Sequence, residues 1–261
     1  LVLPAYNPGP AVERTWAEVG RFVRSRPDPW EAVFVLDGCT DGTADRLAAL
    51  AAVDPHPRVR VIGYPANRGK GYAVRTGLLA VAGRYRLFTD VDLAYPFADV
   101  LRVADALRAG AAVAAASRDH PESEIRVPVR ALGYVYRRRV QSRVFGAAAR
   151  LLLPLAQRDT QAGLKGMTAA VAERLLPALT CDGFGFDCEF LTACRRADIP
   201  VAEVPVCVRY EDGASTTGLR TTARMLAELW RIRRDWRTRP VPPPVEVPVP
   251  DADPVPTRRA A

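Results

Sequence analysis

Lysine and histidine are almost missing from this sequence. Its 261 residues hold two lysines, Lys70 and Lys165, and two histidines, His56 and His120. Two histidines give no basis for a zinc site, and no Ser-His-Asp or Cys-His catalytic set can be assembled from them. The five cysteines (Cys39, Cys181, Cys188, Cys194, Cys207) are odd in number and form no C-x-x-C pair, which fits reduced packing residues in a cytosolic setting. No apolar run reaches the roughly 18–20 residues of a membrane span, and no signal peptide or internal repeat is evident. The chain opens at Leu1, without Met and already inside an apolar strand, which leaves room for an upstream segment.

What is present in excess is arginine. Thirty-five arginines carry nearly all of the positive charge, the formal net charge is +8 and the pI is about 9.6. Such a balance points to an anionic partner: nucleic acid, a phosphate-bearing substrate or a lipid surface. Arginine bias explains most of the lysine scarcity. Yet both lysines fall in Gly-flanked polar stretches, where a compact ammonium differs from a planar guanidinium. Chance and a specific role both remain open for them at this point.

Strand and helix alternate over the first half of the chain. Leu1–Leu3 is an apolar strand ended by Pro4 and the Asn7-Pro8-Gly9-Pro10 turn. Val12, Trp16, Val19, Phe22 and Val23 have helical spacing. Ala32–Leu36 is a continuous apolar run, as in a parallel strand buried on both faces, and it empties into Asp37-Gly38-Cys39-Thr40-Asp41-Gly42-Thr43. A strand at Val59–Ile62 and a helix after Asn67-Arg68-Gly69-Lys70-Gly71 follow. Next come a strand over Tyr85–Phe88, a helix near Phe97–Leu107 and a small-residue strand at Ala111–Ala116. This alternation predicts a mainly parallel, right-handed α/β sheet, with ligands beyond the carboxyl ends of its strands. Tyr6-Asn7, Asp37, and Asp90 with Asp92 all stand at such ends.

Asp90 and Asp92, one residue apart on a chain leaving a strand, can both reach one hard cation such as Mg²⁺ or Mn²⁺, whose shell is usually completed by substrate phosphate. A solvated turn is the plainer reading of the same pair. Gly69-Lys70 is not a P-loop, because Tyr64 and Gly71 occupy positions that motif gives to Gly and Ser/Thr. Nor is it a dinucleotide fingerprint, since Val74 takes the place of a small residue. A Gly-Lys-Gly helix start with free N–H groups still suits a phosphate. Asp187 and Glu189 form a second acidic pair that could simply favour a helix dipole.

Between Glu124 and Asp159 stand eight arginines (126, 130, 137, 138, 139, 143, 150, 158) and no acid. They do not gather on one helical face, so one clean amphipathic helix is not supported. A solvated helix pair and a surface against anionic headgroups are the two readings. Lys165 falls in a loop-like stretch after Gln161 and Gly163. Glu203–Val206 reads as an edge strand and Leu219–Trp236 as a helix. One folded domain is expected over 1–239, with 240–261 a disordered proline-rich tail.

In order along the chain, LPAYN, DGCTDGT, NRGKGYAVRTG, TDVD, SRDH, DTQAGLKGM and FGFDCEF resemble the family-2 glycosyltransferases of the GT-A fold. Among these, the sequence is most similar to dolichyl-phosphate β-glucosyltransferases and related polyprenyl-phosphate sugar transferases. The resemblance covers about Leu1 to Arg239. It implies that Pro4, Tyr6 and Asp37 hold the uridine with Arg68 and Lys70 nearby, and that Asp90 and Asp92 carry the metal on the pyrophosphate. It implies too that Arg118, Arg126, Arg130, Gln161 and Lys165 face the sugar or acceptor phosphate, and that Asp187 is the acceptor-side acid.

The expected activity is metal-dependent, inverting transfer of a hexose, glucose from UDP-glucose, to a polyprenyl or dolichyl monophosphate. The expected place is the cytoplasm, peripheral on the inner face of the cell membrane against anionic lipid. The rival readings are a hydroxyl acceptor, for which Asp187 must act as base, a GDP-mannose-dependent mannosyltransferase, and an idle nucleotide-sugar-binding module. A nucleic-acid partner is not expected, because the arginines lack the interleaved exposed aromatics of a stacking platform.

Overall fold

A computed structural model describes residues 1–126, 132–209 and 219–239. Arg130 and the proline-rich stretch 240–261 lie outside the described residues. Nine strands and eight α-helices are described. Seven strands make one sheet: β1 (Val2–Ala5), β2 (Ala32–Asp37), β3 (Val59–Tyr64), β4 (Tyr85–Phe88), β5 (Val113–Ser117), β7 (Lys165–Thr168) and β8 (Val201–Pro205). Their order is β3-β2-β1-β4-β7-β5-β8, parallel throughout except for β7, which runs against both of its neighbours. The short strands β6 (Glu124–Arg126) and β9 (Cys207–Arg209) pair in a separate ribbon.

The local reasons are plain in the strands. Every residue of β2 is buried, as its unbroken apolar run requires. β3, at the sheet edge, mixes buried and exposed positions. One face of the sheet is covered by α1 (Ala11–Ser25) and α4 (Phe97–Arg108), whose Trp16, Phe22, Val100 and Leu107 pack with Leu3 and Phe34. The other is covered by α3 (Lys70–Ala80), α6 (Ala169–Leu175) and α7 (Phe186–Arg196), with Val74, Leu175 and Phe190 around Val2 and Phe88. α2 (Thr43–Val53) lies beside α1, and Leu47 joins the first core.

Two expectations are corrected. Lys165 does not sit in a loop: it opens β7, opposite Phe88 of β4 and Ala115 of β5, and is fully buried. The arginine-rich stretch is not a helix pair either. It forms one 21-residue helix, α5 (Leu132–Leu152), which buries Phe145 and Ala149 one turn apart and packs near α8 (Leu219–Thr238). Phe145 and Ala149 mark its buried side, and Arg143 and Arg150 are exposed. No described helix is long and apolar enough to cross a membrane.

Candidate active site

The parallel strands β1, β2 and β4 end along one lip of the sheet, and the acids expected there are on it. β4 runs into a tight turn in which Asp90 O accepts Leu93 N at 3.1 Å and Asp92 Oδ1 accepts Ala94 N at 3.1 Å. Leu93 adopts a left-handed φ of 52°, uncommon for such a side chain. Both carboxylates are thus carried on one turn. Asp90 is half-buried and Asp92 exposed.

Each of the two lysines is paired with an aspartate here. Lys70 Nζ, at the start of α3, lies 2.6 Å from Asp90 Oδ1. Lys165 Nζ lies 2.6 Å from Asp187 Oδ1 and donates to Ala162 O at 2.6 Å. Burial alone would lower the pKa of Lys70. The charges of Asp90, Asp187 and Asp92, with the Asp90 hydrogen bond, outweigh it and hold the ammonium above its ordinary value. Those three carboxylates therefore act on one cation.

The backbone around these pairs is built for close approach. A methyl group on Gly163 would collide with the Asp90 carboxylate, so only glycine lets Asp90 lie against the 162–165 segment. Tyr95 Oη accepts Gly163 N at 3.3 Å and fixes that segment. At the start of α3, Cβ atoms on Gly69 (φ 111°) or Gly71 would run into the backbone of 181–183, and Tyr72 N donates to Asp182 O at 3.1 Å. The expected run of free N–H groups at this helix start is therefore partly taken up by the chain itself.

The other predicted residues are placed as follows. Pro4 lies within β1 opposite Val35, and Tyr6 just beyond it is 54% exposed on the lip. Asp37 is buried and already engaged, accepting Arg68 N at 2.7 Å, Gly69 N at 2.9 Å and Asn67 Nδ2 at 2.9 Å. It shapes the loop that presents Lys70. Arg68 lies 3.6 Å over the Tyr72 ring and 3.6 Å from Asp182. Gln161 Nε2 reaches Cys188 Sγ at 3.3 Å, next to Asp187. Arg118 is gripped by Asp159 through Nε at 2.6 Å and Nη2 at 2.8 Å. Arg126 is apart from the lip acids in sequence and element, on β6, paired with Glu124 at 3.1 Å.

Asp159, Gly163 and Tyr95 are site-shaping residues that pattern reading passed over, although Asp159 and Gly163 stand in the DTQAGLKGM stretch. Burial raises the Asp159 pKa and the Arg118 contacts more than reverse this, leaving it at about 2. Glu189, the second acid of the α7 pair, is structural. It accepts Thr180 N at 2.9 Å, Cys181 N at 2.6 Å and Trp236 Nε1 at 3.3 Å, tying α8 to α7.

Two carboxylates on one turn suit a hard divalent cation that draws the rest of its shell from phosphate and water. Lys70 Nζ on Asp90 puts a positive charge where such a cation would be held. Among the described residues no group of three or more His, Cys, Asp or Glu forms a metal cage.

Residues 1–176 match the model of a family described as glycosyl transferase family 2. The chain belongs to that family. This transferase is 30% identical over 243 residues to the dolichyl-phosphate β-glucosyltransferase of Drosophila melanogaster, covering 89% of the chain and 73% of that protein. It is 28% identical over 242 residues to the enzyme of the same description from Dictyostelium discoideum, with the same coverage. Among solved structures it resembles the glucosyl-3-phosphoglycerate synthase of Mycobacterium tuberculosis, in complex with Mn²⁺, UDP and phosphoglyceric acid. That likeness has a TM-score of 0.62 at 20% identity, covers 92% of this chain and 78% of that one, and establishes a shared GT-A fold.

Proposed function

We propose that this transferase moves a hexose, glucose from UDP-glucose, onto a polyprenyl or dolichyl monophosphate with inversion at the anomeric carbon. The observation that carries the reading is the extent of the match to dolichyl-phosphate β-glucosyltransferases, most of this chain against nearly three-quarters of theirs. The chemistry agrees with it. A phosphate monoester has a second pKa near ~6, so at neutral pH its oxygen arrives ionised and needs no strong base. That oxygen attacks the anomeric carbon from the face opposite the leaving group. The bond from that carbon to the β-phosphate oxygen breaks, and UDP leaves with the electron pair.

The residues then have positional and electrostatic work. Asp90 and Asp92 would hold a divalent cation, Mg²⁺ or Mn²⁺, which supplies charge neutralisation to the leaving diphosphate. Lys70 adds a second positive charge beside it. Pro4, Tyr6 and Arg68 line the uridine side, and Asp37 holds the loop that brings Arg68 and Lys70 there. Arg118 and Gln161 stand on the acceptor side. Lys165 is buried and acts through Asp187, which it holds toward the lip. Arg126 and the outward arginines of α5 would approach an anionic lipid surface peripherally, on the cytoplasmic face, together with the exposed Tyr136, Val144, Leu151 and Trp230.

Transfer from UDP-glucose and from GDP-mannose should be measured with a short-chain polyprenyl phosphate and with a panel of hydroxyl acceptors, for wild type and Asp187→Asn. Glucose transfer to the lipid phosphate is expected, falling less for Asp187→Asn than the ~10²–10⁴-fold that loss of a needed general base would cause. Transfer to hydroxyl acceptors alone, lost on Asp187→Asn, would overturn the reading.

A further inference from the structure

The turn at residues 181–185 leads into α7 and is gripped from two sides. On one side is the start of α3. There Asp182 O accepts Tyr72 N at 3.1 Å and Asp182 Oδ1 accepts Arg75 Nη2 at 2.6 Å. Gly69 and Gly71, which flank Lys70, pass so close that a Cβ on either would meet backbone atoms of 181–183. On the other side stands Glu228 of α8, whose Oε2 accepts Gly185 N at 2.7 Å. A methyl group on Gly183 would collide with Glu228 Oε1, and one on Gly185 would press on Oε2. Glu228 shares a helical face with Met225 and Ile232, three and four residues away and both buried, so its carboxylate is aimed inward at the turn.

We propose that Glu228 is a positioning residue for the transfer reaction: by holding the 183–185 turn it sets where Lys70 and Asp187 stand. The hold is a firm one, because a backbone N–H given to a carboxylate is a charge-assisted bond. Gly185 also immediately precedes the first turn of α7, so the Glu228 charge lies at the positive end of that helix. No Cβ on Gly69, Gly71, Gly183 or Gly185 stands between the carboxylate, the turn and the start of α3. A shift of the turn therefore passes on in two directions, to Lys70 through α3 and to Asp187, two residues beyond Gly185, through α7. A misplacement of about 1 Å that begins far from the reacting bond is enough to cost about 10²-fold in rate. Trp236, two turns further along α8, ties the same helix to Glu189 instead, at 3.3 Å. The inference rests on the roles given to Lys70 and Asp187 in the proposed function, and is the same for any sugar or acceptor.

The test compares wild type with Glu228→Gln, Glu228→Ala, Gly183→Ala and Trp236→Phe. Glutamine keeps an acceptor oxygen for Gly185 N, alanine keeps none, and the Gly183 methyl drives an intact Glu228 off the turn. Trp236→Phe loosens α8 at a contact away from the turn. UDP affinity is measured by isothermal titration, beside kcat for sugar transfer and the melting temperature. Glu228→Ala and Gly183→Ala should each lower kcat about tenfold or more. Each should also weaken UDP binding, by less than the about tenfold that losing the Lys70 contact outright would cost. Glu228→Gln should stay near wild type in both, and Trp236→Phe should lower only the melting temperature. A loss of folded protein reduces the number of binding sites and leaves the affinity of the remainder, so affinity separates positioning from stability. Should Glu228→Ala fail to fold, Gly183→Ala, with every charge in place, carries the same expectation. Wild-type UDP affinity in the variants that displace or remove Glu228, or an equal loss in Trp236→Phe, overturns the proposal. If no acceptor were turned over at all, the proposed function would fall, and UDP affinity would still decide the role of Glu228.

Discussion

The molecule contains two lysine–aspartate pairs of equal length and opposite setting. Lys165 is wholly buried, and Asp187 is nearly so; Lys70 and Asp90 keep about a fifth and a third of their side-chain surface. Both pairs close at 2.6 Å. Distance therefore does not separate them, and burial does. An ion pair without access to water costs desolvation on both sides and cannot exchange partners cheaply, so it fixes geometry. A pair at the lip can give up one partner to an incoming ligand, because water and a new counterion are available. On the proposed function, one pair is framework and the other is machinery, although both bear on the same few carboxylates.

The largest expected effect is on the accessible side. Asp90→Asn should cut sugar transfer by about 10³-fold, the scale of losing a central electrostatic contact to the leaving group, while thermal unfolding stays near wild type. Turnover at saturating Mn²⁺ and the melting temperature are the two readouts. Near-wild-type turnover for both Asp90→Asn and Asp92→Asn would erase the distinction between the pairs.

The buried pair should behave in the opposite way. Lys165→Met leaves the Asp187 carboxylate buried without its counterion, at a cost of about 3–5 kcal/mol. Lys165→Met/Asp187→Leu removes both charges and should regain much of that loss. Denaturant unfolding of the two variants checks it. If the double variant is no more stable than the single one, the pair is not the framework described above.

How much of this could be read in the residues alone depended on how local each signal was. The unbroken run of β2, Tyr6-Asn7 after β1, and the acids at the ends of β2 and β4 are local, and both the sheet and its lip were legible from them. β7 was not. Lys165-Gly166-Met167-Thr168 has no apolar run, and it is a strand because β4 and β5 flank it on both sides. Its lysine is tolerable there only because Asp187 arrives from 22 residues away. Likewise, Arg118 finds Asp159 across 41 residues. The buried side of α5 was hidden because arginines, rather than polar and apolar blocks, surround Phe145 and Ala149. Scarcity was the more useful clue: of two lysines in an arginine-rich chain, Lys70 pairs with Asp90 on the lip and Lys165 with the buried Asp187.

A third pair, Arg118–Asp159, extends the comparison to pH. Asp159 is buried and its folded pKa lies at about 2, below the ordinary 3.8. A depressed carboxylate stabilises the fold at pH values above the ordinary pKa, and that contribution is lost as pH falls from about 3.8 through 2. The size is about 2.5 kcal/mol, at roughly 1.4 kcal/mol per unit. Asp159→Asn should lose most of it at neutral pH and show a flatter stability curve than wild type between pH 4 and 2. Parallel curves would mean that Arg118 gains nothing from this acid.

The smallest effect has the most diagnostic sign. Lys70 sits among Asp90, Asp92 and Asp187, and its ammonium occupies an Asp90 oxygen that a cation would need. If a donor diphosphate draws Lys70 away, that oxygen is released as the diphosphate arrives, and nucleotide and metal help each other to bind. Lys70→Met removes the ammonium without adding a polar group. UDP affinity should then fall by about tenfold, the worth of one charge-assisted contact. Mn²⁺ affinity measured without nucleotide should rise, because nothing competes for Asp90. Isothermal titration of each ligand, alone and in the presence of the other, reads both changes, and the mutual enhancement seen in wild type should shrink. A merely structural Lys70 would lower both affinities together, as a disturbed loop does. Opposite signs can come only from a lysine that competes with the metal and serves the diphosphate. That outcome would mark the lip pair as exchangeable, in contrast to the buried pair behind it.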